Sequence, residues 1–187
     1  MKNKKLLAYI IGVSIGDGNL SNPNGRAIRL RITCDNKYPV LRKYILRSLS
    51  IIFPKNKVTE VDRENCTDIS IYSNKLENIL GWKAKNGPKS KQNVSIPNWI
   101  LENDIFLKEC IRGLVQTDGS IYKDRGYKMV NFTTIIEKLA YDYFKSLESL
   151  GYKPQIRKVI HKSKTKYVIR ISKDTDKFIE NLKIWKN

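Results

Sequence analysis

Two segments of the chain share one pattern, an apolar run that contains glycine and ends in Asp-Gly. Residues 8–20 have the sequence AYIIGVSIGDGNL, and residues 109–121 have the sequence ECIRGLVQTDGSI. The shared positions align at a constant offset of 101 residues, as Gly12, Asp17 and Gly18 in the first copy and Gly113, Asp118 and Gly119 in the second. One Asp-Gly pair usually marks only a turn or a helix end. Two equivalent copies predict a chain of two similar halves, each with one motif aspartate.

The apolar periodicity after each motif predicts the same order of elements in both halves. The first half is predicted to have strands at 27–33, 57–62 and 67–73 and helices at 38–52 and 75–82. The second half is predicted to have strands at 128–134, 155–161 and 167–172 and helices at 137–150 and 175–185. A further short strand is expected directly after each motif aspartate. The predicted fold class is therefore α+β, with two pseudo-symmetric α-β-β-α-β-β-α halves (1–82 and 107–187), antiparallel sheets, and a linker and lead-in at 83–106.

Small residues recur every four positions within the motif runs. They are Ala8, Gly12 and Gly16 in the first copy and Gly113 and Thr117 in the second. This spacing places them on one helical face, where two backbones can approach closely and bring Asp17 and Asp118 together. The helix dipole and mutual repulsion oppose two carboxylates there, and a divalent cation removes both penalties. The simpler interpretation is that these glycines only lower helix propensity, by about 1 kcal/mol each.

The charge balance indicates a polyanionic partner. Lys and Arg total 36 against 18 Asp and Glu, a formal net charge of +18, and such an excess is typical of nucleic-acid-binding proteins. Double-stranded DNA is the first candidate. An acidic membrane surface is the second and is disfavoured, because no run reaches the roughly 18 apolar residues that a spanning helix needs.

Cysteine and histidine usage narrows the chemistry and the compartment. Cys34, Cys66 and Cys110 form no CxxC pair, which argues against a zinc site or a disulfide framework. The single histidine, His161, excludes HNH and His-Cys-box nucleases, which need several His or Cys. The basic start at residues 1–5 lacks a following cleavage site. We therefore expect no secretion signal and an intracellular protein located with the host genome, in a bacterial, archaeal or phage-infected cytoplasm or an organelle matrix.

The two motifs, Gly12-Val-Ser-Ile-Gly-Asp17-Gly18 and Gly113-Leu-Val-Gln-Thr-Asp118-Gly119, resemble those of single-chain LAGLIDADG homing endonucleases. The chain length, the repeat and the SIPNWI segment at 95–100 are similar too. The resemblance implies a monomer whose two sheets form a DNA-binding saddle, with Asp17 and Asp118 each facing one scissile phosphate across the minor groove. It implies hydrolysis of both strands of a long site, 3′ overhangs and a role in intron or intein mobility.

The resemblance also implies a catalytic metal site and basic groups beside it. Asp17 and Asp118, with the preceding Gly16 and Thr117, are the expected metal residues, for Mg²⁺ with Ca²⁺ or Mn²⁺ able to substitute in binding. The family often has Gln or Lys near the end of the strand after each motif. Here those stretches are Ile-Thr-Cys-Asp at 32–35 and Phe-Thr-Thr-Ile at 132–135. The family's basic residue after each half is matched by Lys89 and Lys91 in the first half, whereas the second half has only Lys186 near the terminus.

Alternation along the predicted strands marks a DNA-contacting surface. Around 27–33, Ile28, Leu30 and Ile32 oppose arginines and a threonine, and Arg suits guanine O6 and N7 as well as phosphate. The polar sets are mixed rather than uniformly lysine, which favours base reading. The predicted DNA-binding residues are Arg26, Arg29, Arg31, Thr33, Ser70 and Tyr72 in the first half, and Met129, Asn131, Thr133, Lys166 and Arg170 in the second.

Three alternatives stay open at this point. An RNA-binding maturase of the same fold would assist intron splicing without cutting, although the aspartates at both motifs disfavour it. A catalytically silent DNA-binding protein would explain the missing Gln and Lys. An unrelated basic protein, such as a ribosomal factor, is disfavoured by the duplicated Asp-Gly motif.

Overall fold

The chain folds as two halves with the same order of elements. The computed structural model describes residues 2–162 and 164–185. The first half consists of α1 Lys2–Asp17, β1 Gly18–Ser21, β2 Arg29–Asp35, α2 Pro39–Ile52, β3 Val58–Asp62, β4 Cys66–Tyr72 and α3 Leu76–Leu80. After a linker and α4 Asn98–Leu101, the second half consists of α5 Asp104–Asp118, β5 Gly119–Asp124, β6 Tyr127–Thr134, α6 Glu137–Ser149, β7 Gln155–His161, β8 Lys164–Ile171 and α7 Thr175–Asn181. The helix α4 was not predicted.

Each half contains one four-stranded antiparallel sheet. The strand orders are β1-β2-β4-β3 and β5-β6-β8-β7, so the second sheet repeats the topology of the first. The predicted fold class, two pseudo-symmetric α+β halves, is confirmed. Several boundaries differ: β2 begins at Arg29 rather than at 27, β8 begins at Lys164 rather than at 167, and α7 ends at Asn181 rather than at 185.

The motif helices α1 and α5 pack against each other at the centre, and their backbones touch. A Cβ atom built on Gly12 would lie 2.1 Å from the carbonyl oxygen of Cys110. A Cβ atom built on Gly113 would lie 2.5 Å from the carbonyl oxygen of Tyr9. Only glycine permits this approach, so the four-residue spacing of small residues is a packing surface and not a weakness of the helices.

The sheets bury one face and leave the other to polar side chains. In β2, Leu30, Ile32 and Cys34 are buried while the alternate residues are partly or fully exposed. In β6, Val130 and Phe132 are buried in the same way. The helices α2 and α6 cover the buried faces through their own apolar residues. Both polar sheet faces therefore remain for a ligand.

A buried arginine joins the two halves behind the motif helices. Arg112 of α5 donates from Nη2 to the hydroxyl of Tyr44 in α2 at 2.9 Å, and its guanidinium carbon lies 4.6 Å from the ring centroid of Tyr9 in α1. An ion pair of 2.6 Å to Glu109 balances its charge. The contacts fix α2 of the first half against α5 of the second.

Within residues 2–162 and 164–185, none of the helices has the length and apolar character to cross a membrane.

Candidate catalytic centre and nucleic-acid interface

Asp17 and Asp118 are the last residues of adjacent helices, and both are exposed. A Cβ atom built on Gly16 would lie 3.4 Å from Oδ2 of Asp118 and 2.1 Å from Oγ1 of Thr117. The residue directly before the first aspartate therefore touches the second. The structure brings both motif aspartates to one end of the helix pair, as the sequence spacing predicts.

Lys89 of the linker lies at the same point, and its side chain caps the end of α1. Its Nζ donates to the carbonyl oxygens of Ser14 at 3.2 Å and of Ile15 and Gly16 at 2.5 Å each. These carbonyls belong to the last turn of the helix, where no intrahelical donor remains for them. Burial lowers the pKa of Lys89 below its ordinary value, and the negative charges of Asp118 and then Asp17 oppose that shift. The ammonium group is thus close enough to both aspartates for their charges to affect the pKa of Lys89.

Lys91 occupies a different environment, although it lies only two residues away. Its side chain is exposed, and its Cδ would be 3.7 Å from a Cβ atom built on Gly87 of the same loop. Both lysines were predicted to serve the centre. The structure places Lys89 at the end of α1 and Lys91 on the exposed side of the loop. Lys186 lies outside the described residues, and Trp185 before it accepts a 2.7 Å hydrogen bond from Gln116 near the end of α5.

A cleft of about 380 Å³ opens beside Lys89 and Asp118. Its polar lining includes Lys166, a residue predicted to bind DNA, and its apolar lining comes mainly from the turn between β6 and α6 and from the end of α1. The cleft links the end of the motif-helix pair to the polar face of the second sheet. A substrate that covers that face would also reach Asp118.

The carboxylate oxygens at the end of the motif-helix pair can hold a hard divalent cation only if the substrate supplies further ligands. The described residues contain no group of three or more His, Cys, Asp or Glu side chains placed to hold a metal. Asp17 and Asp118 offer carboxylate oxygens, which Mg²⁺ and Ca²⁺ prefer. The Gly16 carbonyl accepts from Lys89, and the Thr117 hydroxyl donates to the carbonyls of Gly113 and Leu114. The two carboxylates therefore fit the predicted role, whereas the Gly16 carbonyl already accepts a hydrogen bond from Lys89 and has one lone pair left for a cation.

The polar face of the first sheet carries most of the residues predicted there. Arg29, Arg31 and Thr33 alternate on β2, and Tyr72 lies opposite Arg29 on β4 with 42% of its surface exposed. Two of the residues predicted to bind DNA differ from these in position or exposure. Arg26 lies in the loop before β2, because β1 ends at Ser21 and pairing starts at Arg29. Ser70 has the predicted orientation but is only 8% exposed, because its strand lies between β2 and β3.

The same face contains a cluster that the sequence analysis missed. Asp68 on β4 accepts a 2.7 Å hydrogen bond from the hydroxyl of Thr33 and a 2.8 Å hydrogen bond from Nε of Arg63, whose Nη2 makes a 2.7 Å ion-pair contact with the same carboxylate. Nη1 of Arg31 lies 3.8 Å from the same carboxylate. The alternation of polar and apolar residues does not mark Arg63, because this residue lies in the connection between β3 and β4 and not in a strand. Its separation of five residues from Asp68, across a hairpin turn, is the signal that could have found it.

The second sheet carries a different polar network. Asn131 accepts a 3.2 Å hydrogen bond from Nε of Arg170 and donates at 2.9 Å to the hydroxyl of Tyr122. Met129, Thr133 and Lys166 also lie opposite the buried positions of their strands, as predicted. The two polar faces therefore differ in chemistry although the sheets share one topology.

These observations define a class of protein: a strongly basic chain of two similar halves, each with a motif helix that ends in an aspartate and a four-stranded antiparallel sheet. Residues 106–183 match the family of the LAGLIDADG-like domain. The second half of the chain is thus similar to a LAGLIDADG-like domain, and the chain as a whole has the LAGLIDADG fold. The resemblance stated from the motifs is confirmed at that level.

Solved structures support the fold over nearly the whole chain. I-DmoI in complex with DNA and Mn is 21% identical, with a TM-score of 0.73, and the match covers 96% of this chain and 97% of that one. The N-terminal LAGLIDADG domain of DUF199/WhiA is 14% identical, with a TM-score of 0.66, and the match covers 98% and 85%. Similarity at these identities establishes the architecture and not the activity.

Two curated relatives match almost the full chain but are themselves far longer. The tRNA-splicing ligase RtcB of Pyrococcus furiosus is 26% identical over 88% of this chain and 19% of its own length. The replication factor C small subunit of Methanocaldococcus jannaschii is 24% identical over 95% of this chain and 10% of its own length. The chain thus spans at most about a fifth of the curated relatives that it matches.

Proposed function

We propose that this chain is a site-specific endonuclease that cuts both strands of double-stranded DNA with the help of a divalent metal ion. The observation that carries the proposal is the meeting of Asp17, Asp118 and Lys89 at the touching ends of α1 and α5. This centre lies between two polar sheet faces on a chain of net charge +18. One carboxylate comes from each half, so a single chain supplies both cutting positions and a monomer suffices.

The two aspartates orient the reacting groups. Each carboxylate ends a helix whose negative dipole end adds to its charge, and this arrangement favours cation binding at the point where a phosphate would enter. Bound there, Mg²⁺ supplies charge neutralisation on the phosphoryl and leaving 3′ oxygens and lowers the pKa of a water. The I-DmoI structures with DNA and Mn and with DNA and Ca support divalent-metal use by this chain as well.

Lys89 contributes fixed positive charge in a partly desolvated place. Its ammonium group is held by three carbonyls and cannot swing freely toward solvent. Charge developing on a phosphoryl group nearby is stabilised most by a cation that needs no reorganisation. In the free protein the same cation also reduces the repulsion between the two aspartates.

The pattern of curated relatives favours a mobile genetic element. A ligase and a replication factor have unrelated names, yet each contains a segment similar to almost all of this chain. A segment that recurs inside unrelated hosts is expected when the coding sequence inserts into different genes. We therefore propose a role in intron or intein mobility, with the cleavage site at the sequence into which the element inserts.

A second candidate is a DNA-binding protein that does not cut, and one observation favours it. The stretches 32–35 and 132–135, near the ends of the strands where the resembling family often has Gln or Lys, contain neither residue. In the first stretch the Thr33 hydroxyl donates its one hydrogen to Asp68, so it cannot donate that hydrogen to an attacking water as well. The RNA-binding maturase has no comparable observation in its favour among the described residues.

A cleavage selection tests the proposal. The full chain is incubated with a library of randomised double-stranded DNA in Ca²⁺ to select bound sequences, and the bound pool is then shifted to Mg²⁺ or Mn²⁺. The double variant Asp17→Asn, Asp118→Asn serves as the matched control. Enrichment followed by double-strand cutting in the wild type alone supports the endonuclease. Enrichment without cutting identifies the second candidate, and binding without any sequence enrichment overturns both.

A further inference from the structure

Asp68 is a buried carboxylate on the surface that the proposed function assigns to DNA. It is 4% exposed and lies on β4, opposite Thr33 of β2 and on the same polar face as Arg31. A negative charge on a phosphate-binding face opposes association with a polyanion. General attraction to DNA therefore does not explain why Asp68 lies on this face.

The donors around Asp68 supply that reason. Thr33 donates to Oδ1 at 2.7 Å, and Arg63 donates to Oδ2 from Nε at 2.8 Å while its Nη2 forms a 2.7 Å ion-pair contact with the same oxygen. Burial disfavours the charged carboxylate, but the hydrogen bonds from Thr33 and Arg63 outweigh it, so the pKa of Asp68 lies below its ordinary value. The group is an anion at neutral pH; it binds the guanidinium group of Arg63, and that of Arg31 lies 3.8 Å away on the same sheet face.

The geometry of Arg63 determines which of its edges can meet a base. Nε and Nη2 share one edge of the guanidinium plane, and that edge faces Asp68. The other edge of the guanidinium plane is formed by Nη1 and Nη2. The Arg63 side chain is 56% exposed, whereas the Asp68 side chain is only 6% exposed, so this second edge remains accessible to a base. A guanidinium edge of this kind forms two parallel hydrogen bonds with O6 and N7 of guanine. Fixing the side chain before binding also reduces the entropy lost on complex formation.

The strand register places the cluster close to the cutting centre. Gly18, directly after Asp17, pairs with Ile32, and the next residue of β2, Thr33, pairs with Asp68. The cluster is therefore near the inner end of the first sheet. Base pairs that lie over it are those nearest the proposed cut in the first half-site.

We propose that Asp68 is a positioning residue that fixes Arg63 to read guanine in the base pairs of the first half-site next to the cut. The inference rests on the proposed function, because it assumes that the sheet faces bind DNA. It names two residues, Asp68 and Arg63, whose role is sequence discrimination and not attraction. In the second sheet Val168 lies opposite Thr133, so the place equivalent to Asp68 is apolar, and an arginine held by a carboxylate at that place is a feature of the first half.

The test compares the base preferences of four proteins selected from randomised double-stranded DNA in Ca²⁺, which permits binding. Wild type is compared with Asp68→Asn and Arg63→Lys, and Asn131→Ala of the second sheet is the matched control. Both first-half variants are expected to lose guanine discrimination at the same one or two positions, by about 5- to 150-fold, which corresponds to one bidentate contact. Asn131→Ala is expected to lose preference at different positions, in the other half-site.

A second readout separates positioning from a merely structural role. Asp68→Asn removes a negative charge from the binding face, so its affinity for random-sequence DNA should be unchanged or higher while discrimination falls. A structural defect would lower both affinities together. Arg63→Lys keeps the charge but cannot make the bidentate contact, so its salt dependence should match that of wild type.

Three results would overturn the inference. The first is an unchanged motif for Asp68→Asn or, if circular dichroism shows that this variant is unfolded, an unchanged motif for Arg63→Lys. The second is a uniform loss of affinity across all sequences for Arg63→Lys, which would make Arg63 a phosphate contact. The third is the absence of any enriched motif for wild type, and that result alone would overturn the proposed function as well.

Discussion

The Cβ position of Gly12 lies 2.1 Å from the carbonyl oxygen of Cys110, so α1 and α5 meet backbone to backbone. The same contact recurs on the other helix, where a Cβ atom on Gly113 would be 2.5 Å from the carbonyl of Tyr9. The separation of the helix axes sets the separation of the carboxylates at their ends. A packing detail in the middle of the helices therefore controls the geometry of the proposed catalytic centre.

Gly12→Ala tests this relationship. At an open helical position the substitution stabilises by about 1 kcal/mol, but here the added methyl forces two backbones apart. We expect a net destabilisation of about 1–3 kcal/mol, as for other overpacked sites, measured by thermal or urea unfolding. Cleavage should slow even at temperatures where the variant is folded. A higher melting temperature for Gly12→Ala would show that the helices are not in this contact.

Asp17→Asn and Asp118→Asn should each abolish double-strand cutting while leaving specific DNA binding intact. Each substitution preserves side-chain size and removes the charge that favours a divalent cation. We expect the affected strand to be cut about 100-fold more slowly or worse, so each single variant should become a nicking enzyme or lose activity altogether. Strand-resolved gels and a binding assay in Ca²⁺ measure the two properties separately. Full linearisation of a bound site by the double variant would refute the role of both residues.

Lys89→Met and Lys91→Met form a matched pair two residues apart. Lys89→Met removes the donor to three carbonyls at the end of α1 and should destabilise the protein by about 1–3 kcal/mol. It should also slow cutting at saturating DNA with little change in affinity, the pattern of an interaction made mainly in the transition state. Lys91→Met should leave stability and cutting close to wild type, because that side chain is exposed.

A time course that resolves nicked from linear DNA adds a further expectation for this pair. The linker lysine belongs to the first half, so wild type is expected to cut the two strands at unequal rates, and Lys89→Met should change that ratio. Equal strand rates in wild type and in both variants would make the two lysines bystanders.

Binding should weaken steeply as salt rises, with the logarithm of the association constant linear in the logarithm of the salt concentration. Arg29→Ala on the polar face of the first sheet should lower affinity and the magnitude of the salt slope. Lys43→Ala is the control, because Lys43 is exposed on α2, which covers the opposite face of that sheet. Equal effects of the two substitutions would argue that the polar sheet face is not the binding surface.

Acid should remove the contribution of Asp68 to stability. Its pKa in the folded protein lies below the ordinary value of about 3.9, so ionised Asp68 stabilises the fold at all pH values above that. As pH falls through the folded pKa the carboxylate is protonated and the contribution is lost. The stability difference between wild type and Asp68→Asn should therefore be constant from pH 7 to about 5 and shrink at lower pH. Urea unfolding of both proteins along a pH series measures it, and a difference that grows in acid would contradict the assignment.

Much of the fold could be predicted because the repeat carries two independent signals. The alternation in β2 and β6 and the glycine spacing in α1 and α5 each fix a buried face without knowledge of the tertiary contacts. The start of β2 was predicted two residues too early, at 27 rather than at Arg29, because strand limits depend on the partner strand. The strand β1 has only four residues for pairing. The first residue of β2 that pairs with it is therefore Arg29, whatever structure the preceding residues favour.

The site was predictable only where it follows from the repeat. Asp17 and Asp118 are motif positions, so their meeting follows from helix packing. Lys89 and Lys91 could not be told apart in sequence, because both lie in one basic loop and only the tertiary contact with α1 separates them. Arg63 and Asp68 come together through a hairpin turn, which periodicity does not describe.

The position of Lys89 bears on how the two halves could be separated or recombined. The lysine lies on the connecting segment, yet it docks on α1 of the first half. Expressed as two polypeptides divided after residue 93, the first piece would keep its own lysine. Divided before residue 88, the first piece would receive the lysine in trans from the second, and its helix end would be uncapped until the pieces associated. The position of the junction in a split or chimeric protein therefore determines which half carries Lys89.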